Sequence, residues 1–456
     1  MSANALEELV SALPPGAVVV DPATVDNHRR DRADLCQAGT PLALVRPSTT
    51  AQVQAVMRWA TRSRVPVVPQ GARTGLSGGA NAVDGCILLS LARMDAIVEI
   101  DPVDQVAVVQ PGVVNATLSR AVLEAGLFYP PDPSSWEEST IGGNLATNAG
   151  GLCCVKYGVT SDFVRGLEVV LANGDLVRTG RRTVKGVAGY DLTKLLVGSE
   201  GTLGVITEAT LSLHPAPEES LTMAAVFDAV PPALESAMRI MSSGIRPSLL
   251  EFLDGATIAA VQAYRDMGLP AGAQAMLLLQ SDRGTRAAED VARMGALCEQ
   301  LGAVEVATAS DREESEMLLE ARRLVNPAIE RVGASLVDDV GVPRARLIDL
   351  LEGIDRIAEK HQVTIMCPGH IGDVNMHPHV VVDRGDDAAA ERAAGAFAAI
   401  MELALELGGT ITGEHGVGTL KRPWLAQELG EIGLDLQQRI KATFDPLGIL
   451  NPGKVV

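Results

Sequence analysis

Twenty of the chain's 45 glycines lie between residues 71 and 204, and this crowding constrains the fold more than any other feature of the sequence. Glycine costs backbone entropy wherever it is fixed, so a stretch this rich in it needs conformations or close approaches that other residues deny. Three runs carry the pattern: Gly71-Ala-Arg-Thr-Gly-Leu-Ser-Gly-Gly79, Ile141-Gly-Gly-Asn-Leu-Ala-Thr-Asn-Ala-Gly-Gly151 and Gly198-Ser-Glu-Gly-Thr-Leu-Gly204. In the first, four glycines permit positive φ, so successive N–H groups turn inward as an anion-binding nest, with the Thr74 and Ser77 hydroxyls as further donors. A tight turn needs only one or two glycines, and the surplus suits a pyrophosphate. Three such loops fit a long ligand held by backbone at several places. None opens a helix after a strand with G-x-G-x-x-G spacing, so the nicotinamide-dinucleotide fingerprint is absent and a dinucleotide held in another way is expected.

At 456 residues the chain has room for two large domains. Apolar runs at 42–45, 65–68, 86–90, 97–100, 106–110, 167–171 and 205–213 read as strands. A helix capped at 48–50 runs to about residue 63. Several strands are joined by loops rather than crossover helices, which favours an α+β domain with a mixed sheet over a doubly wound one. The proline break His214-Pro-Ala-Pro217 predicts a boundary, with a helix at 234–243 and a strand at 275–280 beyond it. The expected division is 1–215, 216–410, and a C-terminal segment, 411–456, that returns to the first domain.

Acidic residues outnumber basic ones by 57 to 38, and a formal charge of −19 repels phosphate backbones, so nucleic acid is not an expected partner. The six cysteines show no C-x-x-C spacing, which excludes an internal iron–sulfur cluster or a Cys-rich zinc module. No apolar run approaches the ~18 residues of a membrane span, and the N-terminus lacks a signal-peptide layout. A cytoplasmic protein is expected, with peripheral attachment at the inner membrane face as the alternative.

The 69–80 run, Pro130-Pro-Asp-Pro-Ser-Ser135 with the 141–151 loop, and the 185–191 and 198–208 runs resemble the FAD-binding domain of the vanillyl-alcohol oxidase superfamily over residues 40–215. Within it the chain is similar to the group of the glycolate oxidase D-subunit, D-lactate dehydrogenase and D-2-hydroxyglutarate dehydrogenase. The resemblance implies an α+β fold: FAD between two α+β subdomains, with an α/β cap for the substrate. It places the pyrophosphate on Gly71, Ala72, Arg73, Thr74, Gly75, Leu76 and Ser77. Further cofactor contacts are implied at Pro131, Asp132 and Ser135, then at Thr140, Gly142, Gly143, Asn148, Gly150 and Gly151. The third loop contributes Glu200, Gly201 and Gly204, followed by Val205 and Ile206, and Asn451 matches a position close to the flavin ring. Some superfamily members attach the flavin to a histidine in this region. Here none lies between His28 and His214, so FAD is expected to bind non-covalently. Arg73 stands where many relatives carry glycine.

Four of the seven histidines fall between 370 and 415, in Gly369-His-Ile-Gly-Asp-Val-Asn-Met-His-Pro-His379 and Gly413-Glu-His-Gly416. A two-residue hairpin loop at 373–374 sets His370 directly opposite His377, and cross-strand Cβ atoms about 5 Å apart suit two imidazoles on one metal. Glu414 supplies a third, oxygen ligand. Two histidines and a carboxylate with open positions form a catalytic divalent site, for which zinc or manganese is the expected ion. His379, beyond Pro378, fits a structural position.

The resemblance extends through residues 216–456. In metal-using members the positions matching His370, His377 and Glu414 hold a zinc-like ion, and the one matching His415 is the acid/base. Arg322 matches an arginine that grips the substrate carboxylate, a task for which a guanidinium fork is suited. Val337 stands where the hydroxyglutarate enzymes use lysine, which weakens the case for a second substrate carboxylate. The implied activity is oxidation of a small (R)-2-hydroxy acid (glycolate, D-lactate or D-2-hydroxyglutarate) to the 2-oxo acid by hydride transfer to FAD. Electrons then pass to a quinone, an electron-transfer flavoprotein or an iron–sulfur subunit. Three alternatives stand: a non-redox flavin enzyme like alkylglycerone-phosphate synthase, a non-catalytic flavin subunit that relays electrons, and a metal hydrolase that binds no flavin.

Overall fold

The computed structural model describes residues 3–33, 36–270, 272–382 and 386–456, and these fold as two compact units. The first comprises Met1–Gly150, Val159–Ala216 and Glu414–Val456, the second Gly151–Gly158 and Pro217–Gly413.

In the first unit three strands, Ala43–Val45, Ile87–Ser90 and Val67–Gln70, run parallel, with Val18–Val19 antiparallel at one edge. Strands covered on both faces read as uninterrupted apolar runs, which is why these stand out in the sequence. On one face Ala43, Val45, Val67, Ile87 and Leu89 pack against Val53, Val56, Met57 and Ala60 of the helix Thr50–Ser63. On the other, Leu44, Val68 and Leu88 meet Val25, Ala82 and Cys86. Thr49 caps that helix by accepting the Gln52 N–H. The C-terminal segment extends the sheet: Val67 N–H donates to the Ile449 carbonyl at 2.8 Å, and Asn451 N–H to the Val67 carbonyl at 2.8 Å.

A second sheet in this unit is wholly antiparallel, in the order Ile97–Asp101, Val106–Val109, Val205–Ser212, Val164–Val170, Leu176–Gly180. The strands expected to form a mixed sheet are thus divided between a mostly parallel and an antiparallel sheet, in keeping with two α+β subdomains. The helical connection over 50–63 links strands that run parallel within the first sheet, while the short turns after Asp101 and Val170 make the strands they join antiparallel. Sequence periodicity did not reveal the helices Asn115–Glu124, Ile141–Thr147 and Arg422–Phe444. Ile141–Thr147 has two glycines in its first turn and poor intrinsic helix propensity; Thr140, whose hydroxyl accepts the Gly143 N–H, caps its start.

The second unit holds a seven-stranded sheet in the order Glu305–Thr308, Leu221–Phe227, Ala275–Ser281, Leu249–Asp254, Gly369–His370, Asn375–Met376, Val340–Gly341. Beside it is a three-stranded sheet, Ala334–Val337, His379–Val382, Ile365–Met366. Among the described residues, no helix is long and apolar enough to cross a membrane.

Candidate functional site

The three glycine loops meet within the first unit. Gly71 follows the strand Val67–Gln70, and a Cβ there would lie 2.5 Å from Thr140 Oγ1, so the first loop lies against the cap of the helix Ile141–Thr147. The third loop docks on the other end of that helix: Gly198 N–H donates to the Leu145 carbonyl and Glu200 N–H to the Ala146 carbonyl, both at 2.8 Å. Asn451 closes the triangle, its Nδ2 donating to the carbonyls of Gly79 (2.9 Å) and Glu200 (2.7 Å).

Left-handed residues are interspersed through these loops: Arg73 (φ 61), Gly78 (φ 74), Asn148 (φ 54), Gly198 (φ 79), Glu200 (φ 51) and Gly201 (φ 71). Alternation of this kind turns consecutive N–H groups to one side. Arg73 adopts the conformation that glycine serves best, steadied by its Nη1 donating to the Asn27 carbonyl at 2.6 Å. Gly75 and Gly143 have no positive φ, and a Cβ on either would meet nothing closer than 3.6 and 3.5 Å. Internal packing does not require glycine at these two positions, which leaves their backbone open to close approach by a ligand, and the loops fit a dinucleotide such as FAD.

The other implied cofactor positions occupy varied settings. The Pro131 carbonyl, one residue before Asp132, accepts Asn115 Nδ2 at 3.0 Å, and Ser135 opens the turn over 135–139. Gly142 packs on Pro111, and Gly204 on Val169. Val205 and Ile206 pair with Val170 and Val169 in the antiparallel sheet, where Val205 joins the apolar core. Gly150 lies against Glu414: a Cβ would come within 2.4 Å of its Oε2. Gly151 opens the short segment that belongs to the second unit.

Glu414 and His415 are themselves in the first unit, on a loop bound to the glycine cradle. Ser77 Oγ donates to the Gly416 carbonyl at 2.8 Å and lies 3.2 Å from that of His415. The buried carboxylate of Glu200 accepts the N–H groups of Val417 (2.7 Å) and Gly418 (2.9 Å). Burial pushes Glu200 up to about 7, although those N–H groups, Lys421 and Lys454 favour its charge. Native protein therefore holds this proton where unfolded chain has released it. Stability from this group is full below the ordinary carboxylate range and falls as pH rises through about 7. Thermal unfolding of Glu200→Gln between pH 5 and 8 should show a flatter pH dependence than the parent; an unchanged slope would show that Glu200 contributes none of it.

In the second unit the strands Gly369–His370 and Asn375–Met376 form the expected hairpin with a different register. His370 pairs with Asn375, not His377, and residues 371–374 make the loop. The shift is by two residues, so side-chain faces are preserved and His377 is the diagonal neighbour of His370. Their ring centroids are 5.0 Å apart at 86°. Val374 ends the loop at φ 61, a conformation that a β-branched residue disfavours, and is buried at 3% exposure. His379 stands in the neighbouring sheet with Nδ1 3.3 Å from Ser335 Oγ.

Each of the paired histidines has a buried carboxylate at Nδ1. Glu251 Oε1 lies 2.7 Å from His370 Nδ1, and Asp339 Oδ1 3.7 Å from His377 Nδ1. The contact at His370 is a hydrogen bond, and a carboxylate accepting from Nδ1 directs Nε2 to a ligand, the usual support of a metal-binding histidine; the separation at His377 is longer than a hydrogen bond. Arg322, near the end of the helix Arg312–Arg323, is only 8% exposed and donates from Nε to Glu251 Oε2 at 2.7 Å. Burial opposes the Glu251 charge, but His370 and Arg322 hold its carboxyl below the ordinary range. Asp339 also accepts Thr412 Oγ1 at 2.8 Å, and its carbonyl accepts Gly413 N–H at 3.1 Å. The next residue along the chain is Glu414. These donors, two neighbouring imidazoles of which His370 is oriented by a carboxylate at Nδ1, fit a divalent ion of the zinc or manganese type.

Glu251 and Asp339 escaped the reading of the sequence. The available signal was an acid inside an apolar strand, Leu249-Leu-Glu-Phe-Leu-Asp254, and the pair Asp338-Asp339 between Val337 and Val340. A carboxylate buried in that way requires a charged partner.

Residues 41–180 match the FAD binding domain family, and 216–455 match the family of FAD linked oxidases, C-terminal domain. The chain is 45% identical over 417 residues to the glycolate oxidase subunit GlcD of Bacillus subtilis, covering 91% of this chain and 89% of that protein. It is 35% identical over 428 residues to a D-lactate dehydrogenase of Archaeoglobus fulgidus, covering 92% of each. Among solved structures, p-cresol methylhydroxylase with substrate bound shares the fold at 20% identity and a TM-score of 0.83, covering 99% of this chain and 96% of that one. The glycine-lined flavin domain and the portion that follows it both have their counterparts there, and the chain belongs to the FAD-linked oxidase family.

Proposed function

We propose that this flavoenzyme oxidises a small (R)-2-hydroxy acid, of the glycolate, D-lactate or D-2-hydroxyglutarate class, to the 2-oxo acid. The observation that carries the reading is the buried cluster of the second unit, where two histidines backed by carboxylates share a neighbourhood with an arginine. The names of the relatives support the same substrate class.

His370, His377 and Glu414 would hold the divalent ion, and the three glycine loops with Asn451 would hold FAD non-covalently. When bound, FAD accepts the hydride leaving Cα and the ion lowers the pKa of the α-hydroxyl. Arg322 pairs with the substrate carboxylate through Nη–H donors, its Nε being engaged by Glu251. His415 takes the hydroxyl proton as general base. On a chain of formal charge −19, Arg322 and the metal also supply the local positive field that an anionic substrate needs. A quinone, an electron-transfer flavoprotein or an iron–sulfur subunit then reoxidises the flavin.

Purified protein should be yellow and release flavin on denaturation. Under anaerobic conditions it should bleach with one enantiomer of a short 2-hydroxy acid, and a chelator should abolish bleaching reversibly. A panel of both enantiomers with a dye acceptor identifies the substrate. A flavin-loaded protein that no 2-hydroxy acid reduces, with or without added zinc or manganese, would falsify the reading and favour a non-redox role.

A further inference from the structure

We propose that Glu251 is a positioning residue that couples both halves of the substrate grip, orienting His370 toward the metal and Arg322 toward the substrate carboxylate. The inference rests on the metal-dependent reading above. Glu251 lies in the strand Leu249–Asp254, next to the strand Gly369–His370, and is 1% exposed. Its two oxygens are divided between two partners: Oε1 lies 2.7 Å from His370 Nδ1, and Oε2 accepts Arg322 Nε at 2.7 Å.

This arrangement settles two chemical choices at once. An acceptor at His370 Nδ1 puts the ring proton there and leaves the Nε2 lone pair for a metal. An acceptor at Arg322 Nε orients the planar guanidinium through its stem-side donor and leaves the four Nη–H donors for a bidentate carboxylate. The adjacent Arg323 shows the contrast: it pairs with Glu316 and its side chain is 58% exposed. If Glu251 served packing alone, an apolar side chain of similar volume would fill the site as well without the desolvation penalty of a buried charge. Its position between the ligand and the arginine gives the charge a purpose.

Glu251→Gln separates coupling from packing, because its volume is nearly unchanged. The amide has a single acceptor oxygen, so when that oxygen serves one partner the NH2 group faces the other partner's N–H. In the full-length flavoprotein, competition with a chromophoric chelator should show Zn2+ affinity lowered about 10–100-fold, as for loss of other carboxylates supporting metal-bound histidines. With zinc saturating, KM for the 2-hydroxy acid should rise severalfold, by more than kcat falls, while flavin content stays at the parental level. Arg323→Gln should change neither quantity. If Glu251→Gln fails to fold, Glu251→Asp, which keeps the charge but shortens the reach by one methylene, should show the same two effects. Parental Zn2+ affinity and KM in a folded variant, whatever its melting temperature, would overturn the coupling role and leave the functional reading intact. A parent protein that neither binds zinc nor is reduced would overturn both.

Discussion

His415→Ala is expected to slow reduction of the flavin by its 2-hydroxy acid by about 10²–10⁴-fold, the usual contribution of a positioned general base. The prediction is specific because the loop is held through its backbone. The carbonyls of His415 and Gly416 face Ser77 Oγ, and the N–H groups of Val417 and Gly418 lie on the Glu200 carboxylate. Truncating the imidazole removes none of these bonds, so flavin content and zinc affinity should remain parental. KM should change little, since substrate binding is assigned to Arg322 and the metal. The residual rate should climb with pH as hydroxide replaces the missing base. Anaerobic stopped-flow traces across pH 6–10 measure all of this, and bleaching at the parental rate would remove His415 from the proton transfer.

The strands of the parallel sheet were legible because both their faces are buried: Ala43–Val45 and Ile87–Ser90 are continuous apolar runs. The glycine cradle was legible because left-handed and closely approached backbone leaves a compositional mark, and Gly78, Gly198 and Gly201 do have positive φ. Register was less accessible. Two-residue and four-residue hairpin loops place His370 and His377 on the same face, so the pattern that predicts a shared face cannot distinguish direct from diagonal neighbours. The acids supporting the histidines were hidden for another reason. Glu251 is brought to His370 by the pairing of strands more than a hundred residues apart, and such tertiary contacts leave no local periodicity. The helix Ile141–Thr147 forms against its own propensity because its cap and the two loops docked on it supply what its glycines withhold.

Gly418→Val should cost roughly 2–5 kcal/mol of stability, estimated from ~1–2 kcal/mol for a left-handed side chain and about 1–3 for overpacking. Gly418 has φ +53, and a Cβ there would sit 1.9 Å from the Ser77 carbonyl oxygen and 2.5 Å from its carbon. The obstacle is backbone rather than a flexible side chain, and it is fixed in place. The Ser77 carbonyl accepts the N–H groups of Thr419 at 2.9 Å and Leu420 at 3.1 Å, so it cannot retreat without breaking both. Ser77 ends the loop assigned to the pyrophosphate, and strain at 418 is therefore transmitted into the cradle. The variant should lose flavin on gel filtration at temperatures where its helices are still intact by circular dichroism. Gly16→Val provides the comparison: φ is +77 and a Cβ would meet nothing within 4 Å, so only the left-handed term, about 1–2 kcal/mol, applies and flavin should be retained. Equal melting points and equal flavin content in the two variants would show that contact between the 414–418 loop and the cradle does not support the cofactor site.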